Sequence, residues 1–259
     1  MKKSPFISIL TASFNNESTL MRSLESIKYQ SFQNLEHIVI DGGSQDNTLD
    51  ILEKFENTYN LTWISESDHG IADALNKGLK RATGRYIIVI QADDSLLDNS
   101  ILEKVYSILK DEEFDIYTFP VICESEIQST ILAKPIRLLW WHRFRNIFPH
   151  QGVFVHRRVF DRIGAFNGQY SISMDYDFFY RALLSQCTIK FGKMPISLIG
   201  KAGISSGRAH LPRRLKEEFR IQDLNEKNLL WRLAQLIFRT LYSPYKLCFL
   251  PKLRRNIVK

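Results

Sequence analysis

Two rhythms of apolar positions alternate along the first half of the chain. Short runs of strand character occupy residues 6–11 (FISILT), 36–40 (EHIVI), 61–65 (LTWIS) and 86–90 (YIIVI). Between them apolar residues recur at three- and four-residue spacing, as a helix requires. This spacing appears at Leu20, Leu24 and Ile27, at Leu49, Ile51, Leu52 and Phe55, over residues 71–82, and over residues 100–109. Ser and Asn residues precede the first helix, either Ser44 or Asp46 can cap the second, and Gly84 reads as the C-cap of the third. A further strand is expected over 115–121. Strand–helix alternation across roughly 120 residues predicts an α/β fold, a mostly parallel sheet with helices on both faces.

After Lys134 the rhythm changes to aromatic and basic segments, RLLWWHRFRNIF and HRRVFDRIG. From Lys201 a polar, Gly/Ser-rich loop leads into a basic helical tail. These shifts divide the chain into an α/β domain over 1–205, with halves at about 1–120 and 121–205, and a loop plus amphipathic tail over 206–259. In the tail, Leu229, Leu233, Leu236, Ile237 and Leu241 share one helical face, and Arg232, Gln235 and Arg239 take the other. Pro244 and Pro251 divide it. Basic amphipathic helices of this kind lie on membrane surfaces; packing on the core or on a second copy, in a homo-oligomer, is the alternative.

Composition narrows the classes. With 44% hydrophobic and 24% charged residues the chain is an ordinary globular one. Its three cysteines, Cys123, Cys187 and Cys248, are scattered and form no CxxC pair, which argues against a disulfide framework or structural zinc and for a reducing compartment. No run approaches the ~20 apolar residues of a membrane span, and the start, MKKSPFISILTASF, is too broken for a signal peptide. The net charge of +7 hides an asymmetry: residues 1–133 carry 11 Lys/Arg against 21 Asp/Glu, a balance of −10, while residues 201–259 carry 14 against 4, a balance of +10. The acidic half offers no groove for nucleic acid and suits a ligand bringing hydroxyls or its own cation; the basic end suits phosphates or an anionic surface.

In an open parallel sheet, ligands bind outside the carboxyl ends of the strands. Four strands end there in polar clusters: Thr11, Ser13, Asn15 and Asn16; Asp41-Gly42-Gly43-Ser44; Glu66, Asp68 and His69; and Asp93-Asp94. Any one could be a helix cap or a turn, but four on one rim describe a site. The turn DGGSQDN is not GxGxxG, no GxxxxGK[ST] loop occurs, and Leu52 stands where an EF-hand needs its last oxygen ligand. Adjacent carboxylates oppose each other's ionisation. A Mg²⁺ or Mn²⁺ ion shared with a diphosphate would relieve that conflict.

The ordered set TASFNN, VIDGGSQDNT, SDHGIADALNKGLKRATGRYI, QADD and SMDYDFFYR resembles the family 2 glycosyltransferases over residues 5–210, notably bacterial enzymes of capsule, O-antigen or exopolysaccharide synthesis. The resemblance implies a GT-A fold and inverting transfer from a UDP-sugar to a lipid-linked glycan, at the inner face of the cell membrane. It implies a nucleotide-sugar half followed by an acceptor half. By position, Thr11, Ser13 and Asn15 match the lining of base and ribose, and Asp41 the carboxylate that reads the base. Asp68, Asp73, Asn76 and Lys77 match the segment beside the donor, with Lys77 toward base or diphosphate. Asp93 matches the ribose-facing acid, Asp94 the metal ligand and Asp175 the catalytic base. Gln91 departs from the Asn or Ser-type residues common there, and Met174 stands where many relatives carry Glu. His150 and Gln151 match a segment bordering the acceptor; Arg208 or His210 matches a loop over the diphosphate. Asp177 and Arg181 also fit an i,i+4 ion pair. A sugar nucleotidyltransferase lacks support, because TASFNNEST has neither its glycines nor its cation. A non-catalytic nucleotide-sugar scaffold has no need of Asp93, Asp94 and Asp175 together.

Overall fold

The computed structural model describes residues 4–124, 130–200 and 208–248. The expected alternation is present as β1 (Ile7–Ser13), α1 (Leu20–Lys28), β2 (Leu35–Asp41), α2 (Thr48–Phe55), β3 (Leu61–Ser65), α3 (Ile71–Arg81) and β4 (Tyr86–Val89). There follow β5 (Ser95–Leu96), α4 (Ile101–Leu109), β6 (Ile116–Thr118), β7 (Val121–Glu124), β8 (Thr130–Ala133), β9 (Val153–His156), α5 (Arg157–Ile163), α6 (Met174–Leu184), β10 (Ile189–Phe191), β11 (Ser197–Ile199), α7 (Leu211–Asn225) and α8 (Leu229–Cys248). Seven strands form the central sheet in the order β10-β6-β9-β4-β1-β2-β3. It is parallel except at β9, which runs antiparallel to β4 and β6.

Strand periodicity divides the apolar side chains between two layers. Leu10, Ile38, Ile40, Ile87 and Val89 pack with Leu75 of α3 and with residues of α5 and α6. Ile7, Ile9, Tyr86 and Ile88 turn to the other face, against Ile27 of α1 and Leu102 and Val105 of α4. With both faces covered, the strands read as nearly continuous apolar runs.

Two local expectations are corrected. The strand expected over 115–121 is two strands in different sheets. Pro120 has no N–H to continue the ladder, and its carbonyl accepts instead from Ile196 N–H at 3.1 Å. The chain thereby leaves the central sheet after β6 and enters a second, four-stranded sheet of order β5-β11-β7-β8. Gly84 is not the C-cap of α3; Ala82 is, in an extended conformation. A Cβ on Gly84 would stand 2.7 Å from the Ser8 amide nitrogen, so the glycine serves the approach of the chain to β1.

The segment beyond residue 205 is folded against the body where it is described. Leu215, Ile221 and Gln222 of α7 are buried. Gln222 Nε2 donates to the Phe144 carbonyl and to the Tyr176 hydroxyl of α6, each at 3.0 Å.

Candidate active site

The carboxyl rim of the sheet is held by its own polar network. Thr11 is fully buried within β1, and its hydroxyl donates to the Ile90 carbonyl at 2.6 Å and meets His37 Nε2 at 2.9 Å. Burial holds His37 neutral, with its pKa lowered to about 3. The Thr11 side chain joins β1 to its neighbours. Asn15, at φ 51°, accepts from Gln45 N–H at 2.9 Å and so braces the loop after β2. Ser13 is buried beside it.

Asp41 is fully buried and shapes that loop. Its Oδ2 accepts from Gly43 N–H, Ser44 N–H and the Ser65 hydroxyl at 2.8–3.0 Å, and its Oδ1 from the Ser44 hydroxyl at 2.5 Å. Oδ2 thus accepts three hydrogen bonds and Oδ1 one. Gly42 lies between the Asp68 carboxylate and the Phe14 ring, which is 60% exposed at the rim. Sequence reasoning passed over Phe14; an aromatic residue between Ser13 and Asn15 was the signal available.

On the first turns of α3, Lys77 Nζ contacts Glu66 at 3.1 Å, Asp73 at 3.5 Å and the Ser67 carbonyl at 2.9 Å. Its pKa is raised, chiefly by the hydrogen bond to Glu66. Asp73 is lowered, first by the His69 N–H it accepts. Asn76 bridges to a distant loop. Both ends of its amide are taken by the Phe166 backbone, at 2.8 and 3.0 Å, pinning α3 to the loop before α6.

Asp94 stands where the two sheets meet, 1% exposed. Its Oδ2 accepts from Gln91 N–H at 3.2 Å, past the end of β4, and its Oδ1 from Gly200 N–H at 3.1 Å, past the end of β11. Burial first, and the Asp93 charge second, push its pKa up to about 6. Asp93 is partly exposed, and its carbonyl accepts from Arg22 at 2.9 Å.

Asp175 lies in the first turn of α6. Its Oδ1 accepts from Tyr176 N–H at 2.7 Å, its Oδ2 accepts from Asn146 Nδ2 at 2.8 Å, and the same Oδ2 is 3.5 Å from His150 Nδ1. Asp177 is buried and paired with Arg181 Nε at 2.9 Å, which leaves Asp175 as the accessible carboxylate of the pair. His150 and Gln151 share a 3-10 turn, His150–Gly152, just before β9. His150 turns to Asp175, and Gln151 lies near enough to Asp94 to oppose the rise in its pKa. Burial alone would lower the His150 pKa, but Asp175, Asp94 and Asp93 together hold it above its ordinary value. Its Nε2 is buried without a partner. An apolar void of about 20 Å³ underlies His150 and Asp175, lined by Leu75, Val89 and Val153 among others. Asn146 was not anticipated, since no motif marks it. Arg208 opens a 3-10 turn, Arg208–His210, but its side chain and the loop before it lie outside the described residues.

Among the described residues no three His, Cys, Asp or Glu side chains form a closed metal cage. Asp94 is nonetheless a buried carboxylate with a raised pKa and a second carboxylate beside it. That donor set fits Mg²⁺ or Mn²⁺, which take one or two carboxylates and complete their shell with water and phosphate oxygens.

A mostly parallel sheet carrying carboxylates on its carboxyl rim, with a second small sheet closing over them, defines a GT-A glycosyltransferase domain. The family model "Glycosyl transferase family 2" matches residues 8–179, and the chain belongs to that family. A "PGL/p-HBAD biosynthesis glycosyltransferase" of Mycobacterium bovis is 30% identical over 184 residues, covering 67% of this chain and 68% of the relative. A cholesterol galactosyltransferase of Borreliella burgdorferi is 34% identical over 111 residues, 42% of this chain and 31% of the relative. Among solved structures, S. aureus TarS 1-349 in complex with UDP-GlcNAc superposes with a TM-score of 0.72 at 17% identity, over 94% of this chain and 76% of that one. The chain spans 43% of the longer TarS structure. A mannosyltransferase of Pyrobaculum calidifontis in complex with GDP-Man and Mn²⁺ gives 0.68 at 17% identity, over 95% and 73%. At these identities the likeness to solved structures is one of fold.

Proposed function

We propose that this family 2 enzyme moves a hexosyl or N-acetylhexosaminyl group from a UDP-sugar to a hydroxyl of a lipid-linked glycan, with inversion, in bacterial surface polysaccharide synthesis of the capsule, O-antigen or exopolysaccharide type. The observation that carries it is the His150–Gly152 turn: His150 contacts Asp175, and the turn lies within electrostatic reach of Asp94, 81 positions from Asp175 in sequence. In this reading one short turn stands between the candidate base and the diphosphate site. The TarS complex with UDP-GlcNAc supports the uridine donor, and the relative named for cholesterol galactosylation supports a lipid acceptor.

In this reading the base stacks on Phe14 beside Ser13 and Asn15, with Oδ1 of Asp41 as acceptor for one base N–H. Asp93 meets the ribose. Asp68, Asp73 and Lys77 border the donor, Lys77 exchanging carboxylate partners for phosphate oxygens, and the motif assigns Arg208 to the diphosphate as well. Thr11 and Asn76 act through the backbone they hold. Asp94 would hold Mg²⁺ or Mn²⁺, which when bound offsets charge on the departing diphosphate. Asp175 takes the proton of the acceptor hydroxyl, whose oxygen attacks the anomeric carbon opposite the leaving group. Asn146 and His150 aim the carboxylate. The enzyme works peripherally on the inner face of the cell membrane, held by its basic tail.

Asp175→Asn keeps the shape and removes the base. It should lower kcat by about 10²- to 10⁴-fold, with Mn²⁺-dependent thermal stabilisation by UDP-sugars retained. Full transfer activity in this variant would overturn the base assignment. Stabilisation by GDP- or dTDP-sugars alone would overturn the uridine one.

A further inference from the structure

Helix α8 is packed in the sense opposite to its polarity. Its inward face carries Gln235 and Arg239 together with Trp231 and Phe238. Gln235 Nε2 donates to the Arg143 carbonyl at 2.8 Å and to the Tyr180 hydroxyl at 3.0 Å. Arg239 donates to Gln222 at 2.9 Å and pairs with Asp223 at 2.8 Å. Trp231 and Phe238 meet the Phe144 ring. With the polar groups satisfied inward, the aliphatic face is left outward: Leu229, Leu230, Leu233, Leu236, Ile237 and Leu241 are 51–76% exposed. Scattered exposed leucines need no explanation, but a continuous stripe on one helix marks an interaction surface.

The surroundings of the stripe select its occupant. Trp140, half exposed, stacks on Trp231 with ring centroids 6.3 Å apart and adds exposed Leu138 at the margin. Such a Trp suits a membrane–water boundary. Lys227 and Arg232, both exposed, border the start of the stripe, and Lys216 and Arg220 are exposed on α7. The acids nearby are spent: Asp223 on Arg239 and Glu226 on Arg143. Residues 201–259 balance at +10, with Lys252, Arg254, Arg255 and Lys259 following the helix, outside the described residues. A two-fold contact between copies through this face would bring like charges together, which disfavours a dimer. An anionic surface complements both the charge and the apolar stripe. Among the described residues no helix is long and apolar enough to cross a membrane. A helix of this kind lies flat, its apolar side in the headgroup boundary.

We propose that the outer face of α8, bordered by Leu138 and Trp140, docks flat on an anionic lipid bilayer. The proposal deepens the reading of a membrane-held transferase and rests on it, by assigning the face that meets the lipid. The other side of α8 is tied to the site, because its Gln235, with Gln222 of α7, hydrogen-bonds Tyr180 and Tyr176 on the helix that carries Asp175.

The test is sedimentation of the full chain with vesicles of phosphatidylglycerol and phosphatidylcholine, and with phosphatidylcholine alone. The chain should pellet with the anionic vesicles, less as salt rises, and weakly with the neutral ones. The exposed double substitution Leu233→Ser with Ile237→Ser should weaken that partition by about tenfold or more, with thermal midpoint and UDP-sugar binding unchanged. Absence of pelleting on anionic vesicles, or wild-type pelleting of the double variant, overturns the proposal. A dimer in light scattering that the double variant abolishes assigns the face to a second copy instead. The functional reading is scored separately: Asp175→Asn should pellet as the wild type does, and pelleting without binding of any nucleotide-sugar sinks the donor-site reading and leaves the docking surface standing.

Discussion

Asp94 is the residue at which stability and the proposed chemistry conflict most directly. Its pKa of about 6 stands above the ordinary 3.8, so ionisation is costlier folded than unfolded. The native state therefore takes up the proton first as pH falls, and the penalty is absent near pH 4, grows through pH 4–6, and is full above it. Asn at this position removes the charge and keeps an acceptor for Gly200 N–H, while its Nδ2 replaces the acceptor of the long Gln91 N–H bond and offsets part of the gain. Asp94→Asn should stabilise the metal-free protein at pH 7 by on the order of 3 kcal/mol, with the gain gone at pH 4. In thermal melts with Mn²⁺ and a UDP-sugar the order should reverse, since only the wild type would gain from the metal. Side-chain identities were legible here, but partners were not. Nothing in SMDYDFFYR shows that Asp177 turns inward to Arg181 while Asp175 stays accessible, and nothing in DGGSQDN shows how nearly its first carboxylate is consumed by its own loop.

At the scale of elements, the three-residue turn His150–Gly152 has the largest consequences for its length. A Cβ on Gly152 would stand 2.3 Å from the Phe119 carbonyl oxygen, a backbone atom that cannot swing aside. Gly152→Ala should therefore shift the turn and cost about 1–3 kcal/mol, lowering the thermal midpoint. Transfer activity measured well below the new midpoint should fall as well, because His150 and Gln151 move with the turn. These elements were readable because α1 to α4 repeat the helical period and β1 to β4 are apolar runs bounded by polar residues. The second sheet was not: β5 has two residues and β11 three, too few for any period, and their pairing depends on neighbours distant in sequence.

Across the whole molecule, the C-terminal region supports the helix that presents Asp175. Glu217 of α7 accepts the N–H groups of Ile172 and Ser173, and the N–H and hydroxyl of Ser171, at 2.9–3.2 Å, just ahead of α6. Burial alone would raise its pKa, but these donors outweigh burial and lower it. With the folded value below the ordinary one, its contribution is full above about pH 4.5 and is lost as pH falls through the folded value. Glu217→Ala strands those donors and should cost roughly 2–4 kcal/mol at pH 7. The gap should narrow in urea titrations below about pH 4.5, a pH response that loss of packing alone would not produce.

The ordered motifs carried the resemblance to family 2 glycosyltransferases, while period and residue type by themselves determined the helix-covered sheet and the acidic rim. These follow from local repetition and from the rule that ligands meet the carboxyl ends of parallel strands. Tertiary structure alone decided that the chain changes sheets at Pro120, that Thr11 and Asn76 face inward, and that Asn146 and His150 converge on Asp175. It also decided which side of α8 faces out. Helical spacing separates an aliphatic face from a polar one. Which face is buried depends on partners elsewhere in the chain, and here Arg143, Tyr180 and Gln222 satisfy the polar side and leave the leucines to the surface.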